Sequence, residues 1–165
     1  MNAVSRDTLR PALVALAAAV GASVAGRLAT DIGPWYEALS KPAWQPPDWL
    51  FGPVWTLIYA LGVIAATLAW RHAPAAAARR HLLSAFAVNL VLNVSWSVLF
   101  FSMERPDWAL VGVCLLWLSI ASLIFLVWPW SRLASLLLTP YLVWVGFAAF
   151  LNLTIVQLNA PFAGG

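Results

Sequence analysis

The sequence predicts an all-α fold, an integral membrane bundle of five transmembrane helices. Three observations carry that prediction. Of the 165 residues, 63% are hydrophobic and only 9% charged, with a mean hydropathy of +0.86, whereas a soluble domain carries about 25% charged residues. Five apolar stretches, roughly 11–28, 51–70, 82–102, 108–128 and 133–158, are each long enough to cross about 30 Å of hydrocarbon at ~1.5 Å per residue. The stretches are continuously apolar instead of alternating with period two, which excludes a β-barrel. In lipid each backbone group must then be satisfied within its own segment, and only a helix does that. The composition also excludes a secreted domain or a cytosolic enzyme. One domain, 1–165, accounts for the whole length.

The first stretch, 11–28, has the rival reading of a cleavable leader, because Arg6 and Arg10 precede an apolar core with small residues near its end. Ala18, Ala22 and Gly26 recur every four residues, however, a spacing that lets membrane helices approach closely. A retained helix is therefore expected. The connection 29–50 is unlike an ordinary loop. From Asp31 to Trp55 the chain reads DIGPWYEALSKPAWQPPDWLFGPVW, with five prolines and four tryptophans. Proline fixes φ and removes donors, so a stiff, folded lid is expected. Interfacial tryptophan belts are common, but this density in one loop points at least equally to a ligand-facing lid. The second and third stretches are joined by the basic segment 71–81. The remaining connections, 103–107 and 129–132, are short.

Charge sets the orientation. Six basic residues (Arg6, Arg10, Arg71, Arg79, Arg80, Arg132) share the side of the N-terminus, against Arg27, Lys41 and Arg105 on the other. The positive-inside rule puts the N-terminus in the cytoplasm. It does so without choosing between an inner and an outer membrane. The lid side holds five of the six acids: Asp31, Glu37, Asp48, Glu104 and Asp107. Topology thus accounts for the net +3, and no nucleic-acid partner is expected.

Two helices carry polar and aromatic residues on single faces. Asn89, Asn93, Trp96 and Phe100 share one face of the third; Tyr141, Trp144, Ala148 and Asn152 share one face of the fifth. Trp55 and Tyr59 stand one turn apart in the second. Amides are costly in a bilayer unless they bond across helices, so these faces should point inward. Asn93 and Asn152 taken alone read as interhelical glue. With the aromatics beside them, they describe a flat apolar pocket with a few directional groups, suited to a planar hydrophobic ligand.

No acid, lysine or histidine lies mid-span, which leaves a proton relay without parts. His72 and His81 fall in the basic segment, and no histidine is placed to activate a buried serine. Cys114 excludes an internal disulfide and reads as a packing residue. With no His, Met or Cys on the pocket faces, haem iron lacks an axial ligand. No metal site is expected, and a metal-free porphyrin suits such a pocket better than haem.

The segment WYEALSKPAWQPPDWLFGPVWTLIY resembles the first-loop and second-helix signature of the TspO/MBR family, the tryptophan-rich sensory proteins with a mitochondrial translocator relative. The stretches NVSWSVLFF and PYLVWVGFAAFLN agree with it. The likeness runs from about the end of the first helix to Asn159. It implies a five-helix bundle, commonly a homodimer, whose first loop caps a pocket for porphyrins such as protoporphyrin IX and for isoquinoline or benzodiazepine drugs. By position, Trp55 and Trp144 match the pocket tryptophans implicated in porphyrin chemistry. Tyr59, Asn93, Trp96, Ala148 and Asn152 match other pocket positions, and Trp44, Pro46, Pro47 and Trp49 match the lid. Two departures stand out. The run LNLTIVQLNAPF lacks the tyrosine and basic residue of the vertebrate cholesterol pattern, and Gly112 replaces a frequent aspartate.

The expected function is a membrane receptor or sensor that binds porphyrins and other flat hydrophobic ligands and needs no cofactor. Light- and oxygen-dependent porphyrin degradation at Trp55 and Trp144 is the alternative from a different class. A tetrapyrrole or lipid carrier is the third, disfavoured by the lack of an inverted repeat.

Overall fold

The computed structural model describes the backbone of residues 6–162 and the side chains of 8–162; the side chain of Arg6, counted above for orientation, lies outside the described residues. Among these there is no strand. The helix α1 (Arg6–Ala29) ends where Thr30 Oγ1 donates to the Gly26 carbonyl at 2.8 Å, occupying a carbonyl that the last turn leaves open. The short α2 (Pro34–Ala38) starts on proline, whose missing N–H costs nothing at that position. A 3₁₀ turn at Asp48–Leu50 leads into α3 (Phe51–His72). Its last turn places Arg71 and His72 at the negative end of the helix dipole.

The helix α4 (Ala76–Ser97) begins six residues before the third apolar stretch, because Ala76, Ala77 and Ala78 are strong helix formers and carry it into the interface. It continues as a π-helical turn, Val98–Ser102, a widening of the kind often found at functional sites. Next come α5 (Pro106–Val127), α6 (Arg132–Leu137) and α7 (Thr139–Asn159). The stretch 133–158 was expected to be one helix, but it breaks at Leu138. Pro140 has no N–H to offer the carbonyl one turn back, so a new helix starts there.

Among the described residues, five helical segments are long and apolar enough to cross a membrane: Thr8–Ala29, Asp48–His72, Ala76–Ser102, Pro106–Val127 and Arg132–Asn159. α5 packs between α4 and α7, while α1 lies along α3 and α4. Of the small residues on α1, Ala22 is buried, and a Cβ at Gly26 would stand 3.8 Å from Ser97 Oγ. The core is a column of three clusters. One, around Ala69, Leu82, Val127 and Leu138, sits at the arginine-bearing end. The middle one holds Ile58, Leu116, Ile120 and Val145, and the third holds Tyr36, Phe100, Leu151 and Ile155 beside the lid. Large apolar side chains such as Phe125 (78% exposed) and Val143 (67%) face outward. That surface is uncovered in water and suits lipid.

Candidate functional site

The first loop is folded onto the bundle and pinned at three places. Ser40 exchanges two hydrogen bonds with the Asn159 side chain, its N–H donating at 2.8 Å and its carbonyl accepting at 2.9 Å. Trp44 stacks on Phe150 (5.2 Å between centroids) and meets Phe147 edge-on. Trp35 and Tyr36 pack against Phe100 and Phe101 at the π-helical turn. Within the loop the Tyr36 hydroxyl donates to Asp48 at 3.0 Å and accepts from Gln45 Nε2 at 3.1 Å. Lys41 Nζ sits 4.2 Å above the Tyr36 ring and donates to its carbonyl. Burial, and after it the Asp48 carboxylate, pushes the Tyr36 phenol up from 10 to about 12.

Beneath the loop, aromatic rings from α3 and α7 interlock. Phe51 meets Trp144 edge-on at 5.5 Å, and Trp144 lies 5.3 Å from Phe147, which in turn touches Trp44. Trp55 contacts Tyr59 on its own helix at 5.8 Å and Tyr141 of α7 at 6.0 Å. One polar atom in this cluster stands out. The Trp144 indole N–H is buried and has no hydrogen-bond partner, a condition that costs about 1–3 kcal/mol unless something supplies an acceptor.

The asparagines behave differently. Tyr59 donates to Asn93 Oδ1 at 2.8 Å, Asn93 Nδ2 donates to the Tyr141 hydroxyl at 2.9 Å, and Tyr141 donates to Asn89 Oδ1 at 3.3 Å. Asn89 Nδ2 completes the ladder by donating to Ser119 Oγ at 2.8 Å. Nearer the lid, Asn152 accepts from Trp96 Nε1 at 3.1 Å and donates to the Pro106 carbonyl at 2.8 Å. Each amide bonds through both its oxygen and its nitrogen to other helices, so these groups hold the bundle together and leave Trp144 as the unspent donor. Ala148 is buried one turn beyond Trp144, and Phe100 is buried against Trp96.

Not every expected residue joins the cluster. Trp49 is 71% exposed, Pro47 caps the 3₁₀ turn from the exposed side, and Pro46 is half-buried. Gln45, Phe51, Phe147 and Ser119 take part without having been singled out in the sequence. Phe51 stands one turn before Trp55, and Phe147 one turn after Trp144, so extending each aromatic face by a turn would have found both.

A cavity of about 980 Å³ opens at the other end of the bundle, between α1, α3 and α4. It runs from Tyr59, Asn89 and Tyr141 near mid-bundle to Arg10, Arg71 and Arg79, with neither the lid nor Trp55 and Trp144 in its walls. The polar ladder thus lies between a lid-side aromatic cluster and an arginine-end groove.

Residues 13–158 match the TspO/MBR family. The "Tryptophan-rich protein TspO" of Chlorobaculum tepidum is 43% identical over 130 residues, covering 76% of this chain and 79% of that protein. The human "Translocator protein" is 33% identical over 152 residues, covering 91% and 90%. The "Tryptophan-rich sensory protein" of Cereibacter sphaeroides is 34% identical over 125 residues, covering 76% and 77%.

Proposed function

The chain belongs to the TspO/MBR family, an integral multi-pass membrane protein by its five spans, and from that premise we propose that it is a receptor or sensor binding porphyrins of the protoporphyrin IX type and other flat hydrophobic ligands beneath its first loop. The observation that carries this reading is the unpartnered Trp144 N–H inside an aromatic cluster closed by a pinned loop. A planar ligand entering between the loop and α7 replaces ring–ring contacts with ring–ligand contacts. It also brings an acceptor, a carboxylate or carbonyl oxygen, to that N–H. The gain is the net value of a hydrogen bond to a charged group, about 1.5–3 kcal/mol. The loop's attachments suit reversible entry, because the Ser40–Asn159 pair and the Trp44–Phe150 stack can part without disturbing the polar ladder below.

The test is a titration of the purified protein with protoporphyrin IX in darkness, read by absorbance, with Trp144→Phe alongside. Phenylalanine keeps an aromatic ring and removes the N–H. A dissociation constant about tenfold weaker is expected, since ~1.4 kcal/mol is a factor of ten. Equal affinities would refute the role given to Trp144. Illuminating the complex then separates binding from chemistry. A stable spectrum supports the receptor, and bleaching that disappears in Trp55→Phe replaces it with a degrading enzyme.

A further inference from the structure

We propose that the groove between α1, α3 and α4 binds an anionic phospholipid from the surrounding leaflet, its phosphate held among Arg10, Arg71 and Arg79. The site stands at the opposite end of the bundle from the lid and does not depend on the porphyrin reading. At about 980 Å³ the groove is at the large end of the range for ligand cavities. Its walls are apolar, with Val14 and Ala18 on α1, Val63 and Ala66 on α3, and Leu83 and Phe86 on α4. The small residues of α1 leave the width that larger ones would fill. Its inner end is closed by Tyr59, Asn89 and Tyr141, whose polar atoms are bonded within the ladder that runs through Asn93 and Ser119, so that end suits hydrocarbon and asks for no polar partner.

The mouth is of the opposite character. Arg10, Arg71 and Arg79 come from three helices and are all exposed. Arg79 is placed over the Trp70 ring, 5.4 Å from its centroid. Among the described residues the one salt bridge joins Arg105 to Asp107 beside the lid, and no acidic side chain lines the groove. Guanidinium groups bind phosphate oxygens through paired N–H donors, so three of them above an apolar slot match an amphiphile with a phosphate head. Val14 (60% exposed) and Leu83 (49%) leave the slot open to the side, so a lipid enters from the leaflet. A soluble anion would match the mouth and leave the slot unused. The positive-inside rule puts this end at the cytoplasmic leaflet, where anionic lipids are enriched.

The test is native mass spectrometry of the full chain in mild detergent, titrated with phosphatidylglycerol or with phosphatidylcholine of the same acyl chains. One retained phosphatidylglycerol is expected, at least tenfold tighter than phosphatidylcholine and not displaced by millimolar inorganic phosphate. Two kinds of variant probe the two halves of the site. Arg10→Gln combined with Arg79→Gln removes charge at the mouth, and Ala18→Leu fills the slot without changing charge. Both lie on the groove surface, and each should weaken retention at least tenfold. Arg80→Gln, on the same helix and outside the groove, should not. Equal retention of the two lipids, displacement by phosphate, or an Arg80→Gln effect as large as that of the mouth variant would each overturn the proposal.

Discussion

Asn93 offers the most direct test of how this bundle is held together. It is 5% exposed, and its amide accepts from Tyr59 and donates to Tyr141. Asn93→Leu keeps a side chain of similar size and removes both bonds. Interhelical hydrogen bonds in membrane proteins average about 0.6 kcal/mol and reach about 1.7, so two of them give a loss of roughly 1–3 kcal/mol. Tyr141→Phe removes the hydroxyl from the other side and leaves Asn93 Nδ2 and Asn89 Oδ1 unpaired. In the double variant the first of those unpaired groups no longer exists. The cycle should therefore be non-additive, the double variant recovering about 0.6–1.7 kcal/mol relative to the sum of the single ones. Unfolding in mixed micelles of increasing denaturing-detergent content, followed by far-ultraviolet circular dichroism, measures all four proteins. Strict additivity together with a loss under about 0.5 kcal/mol for Asn93→Leu would show that the ladder does not hold the helices. The amide would then be free to serve a ligand, contrary to the geometry.

Replacing Pro46 and Pro47 by Ala frees φ in the lid, and reordering it costs on the order of 1 kcal/mol per residue; porphyrin affinity should fall several-fold with an unchanged circular dichroism spectrum, and an unchanged dissociation constant would mean that the loop does not cap the site. Ala148→Leu overfills a buried position beside Trp144, where such changes cost ~1–3 kcal/mol, so binding should weaken about tenfold, while Val143→Ala on the outward face of α7 should bind normally. Because the closed lid holds Tyr36 as the neutral phenol, with its pKa raised from 10 to about 12, lid stability should be intact below pH 10 and decline as pH rises through 12. That decline, ~1–2 kcal/mol after solvent screening, should vanish in Tyr36→Phe when lid opening is followed by limited proteolysis.

The parts of this structure that were legible in the sequence are those set by sums over many residues. Hydropathy over some twenty positions located all five spans, and helical spacing put Asn93 with Trp96 and Tyr141 with Trp144 on shared inward faces. Features that turn on a single bond were not legible. The π-helical turn at Val98–Ser102 shifts one hydrogen-bond register without any change in composition. The break at Leu138 depends on Pro140, a residue that the first turn of a helix tolerates and that therefore reads as neutral within an apolar run. The arginine-end groove depends on how far α1 stands from α3 and α4, and no pattern along one chain encodes that separation.

The division of labour among the polar side chains is the clearest case of what only the packed structure can decide. Spacing aimed Asn93, Asn152, Trp96 and Trp144 alike into the bundle, and read Asn93 and Asn152 as interhelical glue only when taken apart from the aromatics beside them. Once the helices are assembled, Asn93 and Asn152 each bond other helices through both ends of their amides, and Trp96 donates to Asn152. A group already bonded at both ends offers a ligand nothing without first giving up a bond of similar worth, so its net contribution to affinity is near zero. Trp144 is in the opposite position, since its N–H gains a first partner when a ligand acceptor arrives. On the reading proposed above, the directional part of recognition beneath the lid therefore falls on groups the fold leaves unbonded, the Trp144 N–H and the Gln45 Oε1 of the loop. The asparagines hold the helix that carries the indole.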